Sequence, residues 1–150
     1  MERRREDGFT LVELMIVVLI IGILIAVALP TFIGARVRAQ NRRAQANMRN
    51  AFATEKVYYA ETQLYTEDPA DLIAIEPGIA YATGDIPVTE GPVYLHVHGA
   101  PLHDLFLSSM SQSGTCYYLR DVPNGGTTYA DSSACDVADT QSYSQVWSAA

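Results

Sequence analysis

The chain lacks the short motifs that place reactive groups in the common enzyme classes. Its 150 residues contain no Gly-x-Ser-x-Gly nucleophile motif, no P-loop and no glycine-rich dinucleotide-binding pattern. These absences remove the usual sequence arguments for a hydrolase, a nucleotide-binding enzyme or a dehydrogenase, and we expect a protein that is not an enzyme. The chain also has no Asn-x-Ser/Thr acceptor, which disfavours N-glycosylation.

Cysteine is scarce as well, with only Cys116 and Cys135 in the chain, and neither belongs to a C-x-x-C pair. In an exported protein two cysteines favour one disulfide bond, and the alternative is two unpaired buried thiols in a reducing compartment. A head of about 90 residues buries only a modest core. A bond that closes a loop of about 20 residues would add roughly 3 kcal/mol to its stability.

Basic residues are almost absent from the second part of the chain. Six of them lie between Arg36 and Lys56 with a single acid, Glu55, whereas from Val57 onwards Arg120 stands alone against twelve acids. The sequence therefore predicts a basic stem followed by an acidic head. The net charge of −7 argues against a dedicated nucleic-acid-binding protein, although DNA binding by the basic stripe remains an open alternative.

The basic residues of the stem need partners that the stem itself does not supply. Arg36 and Arg38 follow an apolar segment closely enough to meet lipid phosphates. Carboxylates on other copies of the chain are the second candidate, and they would suit Arg42, Arg43 and Arg49.

One long apolar run is present, from Phe9 to Leu29, and it carries a single charge, Glu13, before Pro30 follows. As a helix with a rise of about 1.5 Å per residue it would span roughly 30 Å, which is about the thickness of the hydrocarbon core of a bilayer. A carboxylate inside such a segment costs roughly 2.5–3.5 kcal/mol on insertion scales. Glu13 is therefore a functional candidate, and its partner is the central question.

The order of these features resembles the N-terminus of a type IV prepilin. Charged residues precede the sequence GFTLVELMIVV, which begins at Gly8, and Gly22 and Pro30 follow it. The resemblance implies that a prepilin peptidase cleaves between Gly8 and Phe9 on the cytoplasmic side and that the new amino group of Phe9 is methylated. It also implies that Glu13 pairs with the Phe9 amine of a neighbouring subunit during assembly.

The resemblance further implies an α+β fold, in which a long N-terminal helix packs on a small antiparallel β-sheet head. The helix would be transmembrane in its first half and amphipathic in its second. We expect a leader at 1–8, an assembly helix at 9–35, a stem helix at 36–60 and a head at 61–150.

The implied function is that of a structural subunit of a type IV pilus or pilus-like filament. The subunit would lie in the cytoplasmic membrane with its N-terminus inside before assembly, and at the cell surface afterwards. Its implied partners are other copies of itself, a prepilin peptidase and a pilus assembly platform. The alternatives are a pseudopilin of a type II secretion or DNA-uptake system and, from a different class, a membrane-anchored or secreted binding module that never polymerises.

Elementary electrostatics agrees with the role that the resemblance implies for Glu13. A free Phe9 amine has a reference pKa of about 7.7–8.0 and would lie one helical turn away. Two opposite charges in hydrocarbon are each costly alone, and staggered parallel subunits allow them to meet. In one alternative, Glu13 lies near the membrane surface and reaches water. In another, a signal peptidase cleaves after Ala28 and releases a protein that begins at Leu29.

The helix is expected to continue past Pro30 to about Ala60, because good helix formers dominate residues 35–53. Pro30 should kink it, and Gly22 and Gly34 should weaken it locally. The side chains expected to face the head are Ala46, Phe52, Ala53, Val57, Tyr59 and Ala60.

Beyond the stem, Asp68 is expected to cap a short helix that begins at Pro69. Alternating or β-rich segments at 93–98, 105–110 and 115–120 predict a three-stranded antiparallel meander.

Two weak metal candidates occur in the head, and we expect that no metal or other cofactor is bound. One is a histidine group with a neighbouring carboxylate: His96, His98, His103 and Asp104. The other is a set of carboxylates that would suit Ca²⁺: Asp131, Asp136 and Asp139.

Overall fold

The computed structural model describes residues 9–99, 104–123, 125–136 and 141–147, and it confirms the predicted α+β class. Two helices come first: α1 (Leu11–Thr62) and α2 (Pro69–Ile75). Five strands follow: β1 (Tyr81–Thr83), β2 (Val93–His98), β3 (Asp104–Met110), β4 (Cys116–Val122) and β5 (Gly126–Ser132). The chain divides into two compact units, one ending at Arg36 and the other beginning at Val37.

In its described part, the first unit is a single apolar stretch of α1. Its side chains from Leu11 to Ile33 are exposed on every side of the helix. Pro30 lies inside the helix without ending it, although proline lacks the N–H that a regular turn would use. The hydroxyl of Thr31 donates to the carbonyl of Ala28 at 2.8 Å. The kink expected from Gly22, Pro30 and Gly34 stays a prediction.

In the second unit, α1 buries one face against the sheet. Its buried residues recur at intervals of three or four, as one face of a helix requires: Asn41, Ala44, Met48, Ala51, Thr54 and Glu55. The predicted face was largely wrong, because Ala46, Ala53, Val57 and Ala60 are exposed, whereas Phe52 and Tyr59 are half-buried and pack on the core. The prediction followed apolar residues, but half of the true face is polar.

The sheet has the order β1-β2-β3-β4-β5. The three predicted central strands are confirmed as the antiparallel neighbours β2, β3 and β4. The expectation of a wholly antiparallel head was wrong, because β1 pairs with β2 in parallel through three residue pairs only. A strand of three residues, followed by a Gly- and Pro-containing connection at 84–92, is too short to show the alternation of apolar and polar residues that predicts a strand.

The fifth strand was also missed. The N–H of Gly125 donates to the carbonyl of Val122 at 2.8 Å, and Gly126 has a φ of 87°, which favours glycine. β5 then pairs antiparallel with β4 along its whole length. Its sequence, GTTYADS, is too polar to alternate clearly.

Side chains alternate between the two faces of the sheet and build two clusters. The inner cluster packs on α1 and includes Met48, Leu95, Leu107, Tyr117 and Leu119. The outer cluster is smaller and comprises Phe106, Cys116, Tyr118 and Ala130, with Met110, Cys135 and Tyr143 packed against it. The head therefore has its main core between the sheet and the second half of α1.

Candidate functional site

The start of α1 is closed by a capping box made of Thr10 and Glu13. The N–H of Thr10 donates to Oε2 of Glu13 at 2.9 Å, and the N–H of Glu13 donates to the Thr10 hydroxyl at 3.2 Å. The Thr10 hydroxyl donates to the same Oε2 at 2.7 Å. Residues 10–13, TLVE, match the S/T-x-x-E pattern, so this motif was readable in the sequence.

The capping box uses only one oxygen of the Glu13 carboxylate. Oε1 makes no hydrogen bond to any residue that the structure describes. Phe9, the residue expected to carry the free amine, is 83% exposed. Gly8, on the other side of the expected cleavage site, lies outside the described residues. The site is therefore an exposed carboxylate that is hydrogen-bonded to the start of its own helix through one oxygen.

The surroundings of this carboxylate are apolar and unburied. By length and composition α1 is able to cross a membrane, and none of the 18 residues in its most apolar stretch is buried. Adding a Cβ at Gly22 would meet no atom within 4 Å. The residues that the structure describes leave this apolar surface exposed, and an exposed apolar surface of this extent is typical of a region that contacts a membrane or another protein.

A charged network fixes the head to the stem. Nζ of Lys56 donates to Oδ2 of Asp121 and to the hydroxyl of Tyr65, both at 2.6 Å, and the Tyr65 hydroxyl also donates to Asp121. Burial by itself would raise the pKa of Asp121. The hydrogen bonds from Lys56, Tyr65 and Thr127 outweigh that effect and hold the pKa below its usual value.

Aromatic rings surround the cation in the same network. Nζ of Lys56 lies between 5.1 and 5.7 Å from the ring centroids of Phe52, Tyr59 and Tyr65, within the range of cation–π attraction. Sequence patterns did not predict this cluster, because its members come from α1, the segment after it and β4.

A second carboxyl group, Glu55, is buried without a counter-ion in the described part of the chain. Its side chain is 0% exposed, Oε2 accepts one long hydrogen bond of 3.4 Å from the N–H of Thr66, and Oε1 has no partner there. Burial raises the pKa of Glu55 to about 8; the Thr66 hydrogen bond opposes this and nearby Asp71 adds to it. The group is therefore protonated at neutral pH.

The short helix α2 begins as predicted. Oδ1 of Asp68 accepts a hydrogen bond from the N–H of Ala70 at 2.9 Å, and Pro69 occupies the first turn. Asp71 accepts a hydrogen bond from the Thr66 hydroxyl at 2.8 Å.

The metal candidates do not converge in the described residues, which contain no group of three potential ligands. Nδ1 of His96 lies 3.1 Å from Oε1 of Glu67, and Asp104 pairs with Arg120 at 2.7 Å. His98 lies beside His96, with ring centroids 6.2 Å apart. His103 and Asp139 lie outside the described residues, which leaves Asp131 and Asp136 of the carboxylate set.

The predicted disulfide between Cys116 and Cys135 is confirmed, with a Cα–Cα distance of 5.4 Å. It joins the start of β4 to the C-terminal segment. That segment then returns to β5, where Ser144 and Tyr129 exchange two backbone hydrogen bonds of 2.7 Å. Its last described residue, Trp147, donates from Nε1 to the carbonyl of Tyr118 and stacks under Arg49 of α1, 4.9 Å away.

Comparison with known proteins finds a motif at the start of the chain. The family model of the prokaryotic N-terminal methylation motif matches residues 3–29. The type IV major pilin protein PilA of Myxococcus xanthus is 43% identical over 63 residues, 42% of this chain and 29% of that protein. The type IV wide pilus major component PilA4 of Thermus thermophilus is 39% identical over 72 residues, 48% of this chain and 55% of that protein.

A third relative is the type II secretion system core protein G of Aeromonas hydrophila, 30% identical over 82 residues, 53% of this chain and 57% of that protein. The chain thus spans between 29% and 57% of the length of these relatives. The chain therefore carries the N-terminal methylation motif and is similar, over 42–53% of its own length, to two type IV pilus major components and to a type II secretion core protein.

Proposed function

We propose that this protein is a structural subunit of a type IV pilus or pilus-like filament, and that it polymerises through α1 after its leader is removed. The observation that carries the proposal is the combination of an apolar helix with no cover inside the chain and a carboxylate held at its start. Outside the membrane, packing against neighbouring helices keeps the apolar surface of α1 from water, whose contact would cost roughly 25 cal/mol per Å².

In this proposal the Glu13 carboxylate sets the register of the polymer. After cleavage before Phe9, the new amine is a cation near neutral pH. Pairing it with Oε1 of Glu13 on the next subunit neutralises two charges that hydrocarbon solvates poorly. The pair fixes how far one helix is displaced along another, while the apolar contacts supply most of the association free energy.

The proposal also assigns partners and a route. A prepilin peptidase would remove the leader and methylate Phe9, and an assembly platform would draw the helix out of the cytoplasmic membrane into a surface filament. A head-to-tail contact whose rotation does not close generates an open helical polymer. We assign the protein no enzymatic activity, no cofactor and no dedicated nucleic-acid ligand.

A charge-only variant tests the assembly role. Glu13→Gln keeps a capping amide at the same position but removes the charge. We expect filament yield to fall roughly a hundredfold, since removing one partner of a desolvated ion pair costs about 3 kcal/mol or more. The measurement is electron microscopy and quantification of sheared surface filaments, with mass spectrometry of the N-terminus.

The matched control is Thr10→Ala, which breaks the capping box but keeps the carboxylate. Its filaments should form in yields near those of the unchanged protein. Normal filaments from Glu13→Gln, with leader removal verified, would contradict the assembly role of Glu13. A cleaved terminus at Leu29 in place of Phe9 would instead identify a secreted protein.

The second candidate is a pseudopilin, and the similarity to a type II secretion core protein favours it. Long filaments sheared from the surface of wild-type cells would support the pilus. A protein that is retained in the envelope, and whose deletion blocks export of a secreted protein, would support the secretion system. A membrane-anchored binding module would remain monomeric in both assays.

A further inference from the structure

We propose that three arginines of α1, Arg38, Arg42 and Arg43, bind carboxylates on the acidic head of a second copy of this chain. These three residues are called the stem arginines. The inference rests on the proposed filament function and names a surface that works beside the apolar helix contacts.

The cations of the second unit fall into two groups. Three have partners within the chain: Lys56 pairs with Asp121, Arg120 pairs with Asp104, and Arg49 lies on the ring of Trp147. The stem arginines are all exposed, and no described residue forms an ion pair, a hydrogen bond or a ring contact with them. Lys56 and Arg49 lie where the head covers the stem, and Arg120 lies beside Phe106 on the outer face of the sheet.

The stem arginines lie close together on α1. Arg38 and Arg42 are one turn apart, and Arg43 follows directly, so the group covers about 8 Å along the helix axis. Ala44, which faces the head, is opposite Arg42 on the helix, and Asn41 is opposite Arg43, whereas Arg38 lies at the edge of the buried face, one turn before Asn41. Between Leu14 and Thr54 the helix has no acidic residue, so no partner three or four positions away is available on α1 itself.

A second copy carries the matching charge. From Val57 onwards the chain has twelve acids and one base, and that base is already paired. Three exposed glutamates form no ion pair among the described residues: Glu61, Glu76 and Glu90. Packing such heads side by side raises mutual repulsion, and a guanidinium, which can bind a carboxylate through two parallel hydrogen bonds, relieves it.

The same head charge favours another copy over the two other polyanions that bind arginine. An anionic membrane or a nucleic acid that approached the stem would also approach the acidic head, and the potential of the head opposes both. A second copy meets no such penalty, because its acids are the ligands.

Lysine variants make the contact directly visible. In the full-length protein, Arg38→Lys, Arg42→Lys and Arg43→Lys together keep the charge and introduce amines that a carbodiimide can join to carboxylates without a spacer. Isotopically labelled and unlabelled copies are co-expressed and cross-linked in their native membranes or filaments. We expect mixed-isotope peptides that join residues 37–43 to Glu61, Glu76 or Glu90, and we expect their loss at about 1 M salt, where the screening length is only about 3 Å.

Neutral variants test whether the contact matters. Changing all three residues to glutamine should lower filament yield about tenfold, whereas the lysine triple variant and Arg49→Gln, whose cation already has a partner, should stay near wild type. Yields unchanged by the glutamine triple, or cross-links confined to single copies, would overturn the proposal. Failure of the glutamine triple to enter the membrane or to lose its leader would assign these residues to lipid phosphates. Retarded migration of duplex DNA by wild-type protein but not by the glutamine triple, with unchanged filament yield, would assign them to nucleic acid.

These outcomes separate the inference from the proposed function. If wild-type cells form no filament and Glu13→Gln changes nothing, the filament function fails, while the mixed-isotope cross-links still report whether copies meet through this surface. If filaments form and depend on Glu13 but not on the stem arginines, only the inference fails.

Discussion

The two halves of α1 are continuous in backbone but opposite in their relation to the rest of the chain. Up to Ile33 the side chains are apolar and exposed on every side. From Val37 to Thr62 one face is buried under the sheet, and half of the buried residues on that face are polar. The second half packs its buried face on the sheet, whereas the first half makes no such packing contact with the residues that the structure describes. A helix that leaves its most apolar half uncovered is built for surroundings that the single chain does not contain.

Removing the first half of α1 should have the largest effect. We expect a fragment that begins at Val37 to be monomeric and folded in buffer, because the core lies wholly beyond that residue. The full-length protein should require detergent. Analytical ultracentrifugation of both, with near-ultraviolet circular dichroism for the fragment, checks this. A fragment that aggregates or lacks tertiary signal would show that the head depends on the apolar half.

The next largest effect concerns the disulfide bond that joins the C-terminal segment to β4. Replacing Cys116 and Cys135 together by serine should lower the free energy of unfolding of the head by about 3 kcal/mol, since the bond spans 19 positions. Urea titration measures the loss. The apolar half should be unaffected, so membrane insertion of the full chain serves as the control. An unchanged urea midpoint would contradict the assigned role.

Protonation of Glu55 makes the stability of the head depend on pH. Burial raises the pKa of Glu55 from its ordinary value of 4.5 to about 8. The unfolded chain therefore loses this proton near pH 4.5 and the folded chain only near pH 8, so stability falls as pH rises between these values. The slope approaches about 1.4 kcal/mol per pH unit for one proton.

Glu55→Gln removes the titration while keeping the shape of the side chain. We expect the variant to be more stable than the unchanged head at pH 8 and to approach it near pH 5. Thermal melts at both pH values measure the difference. An equal gain at both pH values would show that the effect is packing and not ionisation.

The smallest expected effect comes from the network that joins stem and head. Lys56→Met keeps the apolar part of the side chain against its three rings but removes the charge. Because Lys56 is partly exposed, we expect a loss of about 1 kcal/mol, and Lys56→Arg should lose less. Chemical denaturation of both variants checks the order. A loss for Lys56→Met no greater than that of Lys56→Arg would exclude the charge as the cause.

Sequence reading succeeded where a pattern is local. The α2 cap at Asp68, the alternation of Val93–His98 and the cysteine pair were each predictable, because their causes lie within a few residues or in a count. It failed where partners are distant. β1 is defined by its pairing with β2 and not by its own composition. The burial of Glu55 follows from the packing of the head on α1, and its residue type gives no indication of it.

The order of amino acids alone shows an apolar segment from Phe9 to Leu29 that carries one carboxylate, and it predicts that this segment is helical. It also determined the basic stem and the acidic head. Which cations are paired within the chain depends on the folded structure. The pairing of strands places Asp121 and Asp104 beside their cations, and the C-terminal segment places Trp147 beside Arg49. The net charge of a segment is the sum of its residues and can be counted in the sequence. Whether a charge is neutralised depends on its distance from an opposite charge, within a few ångströms, and packing sets that distance.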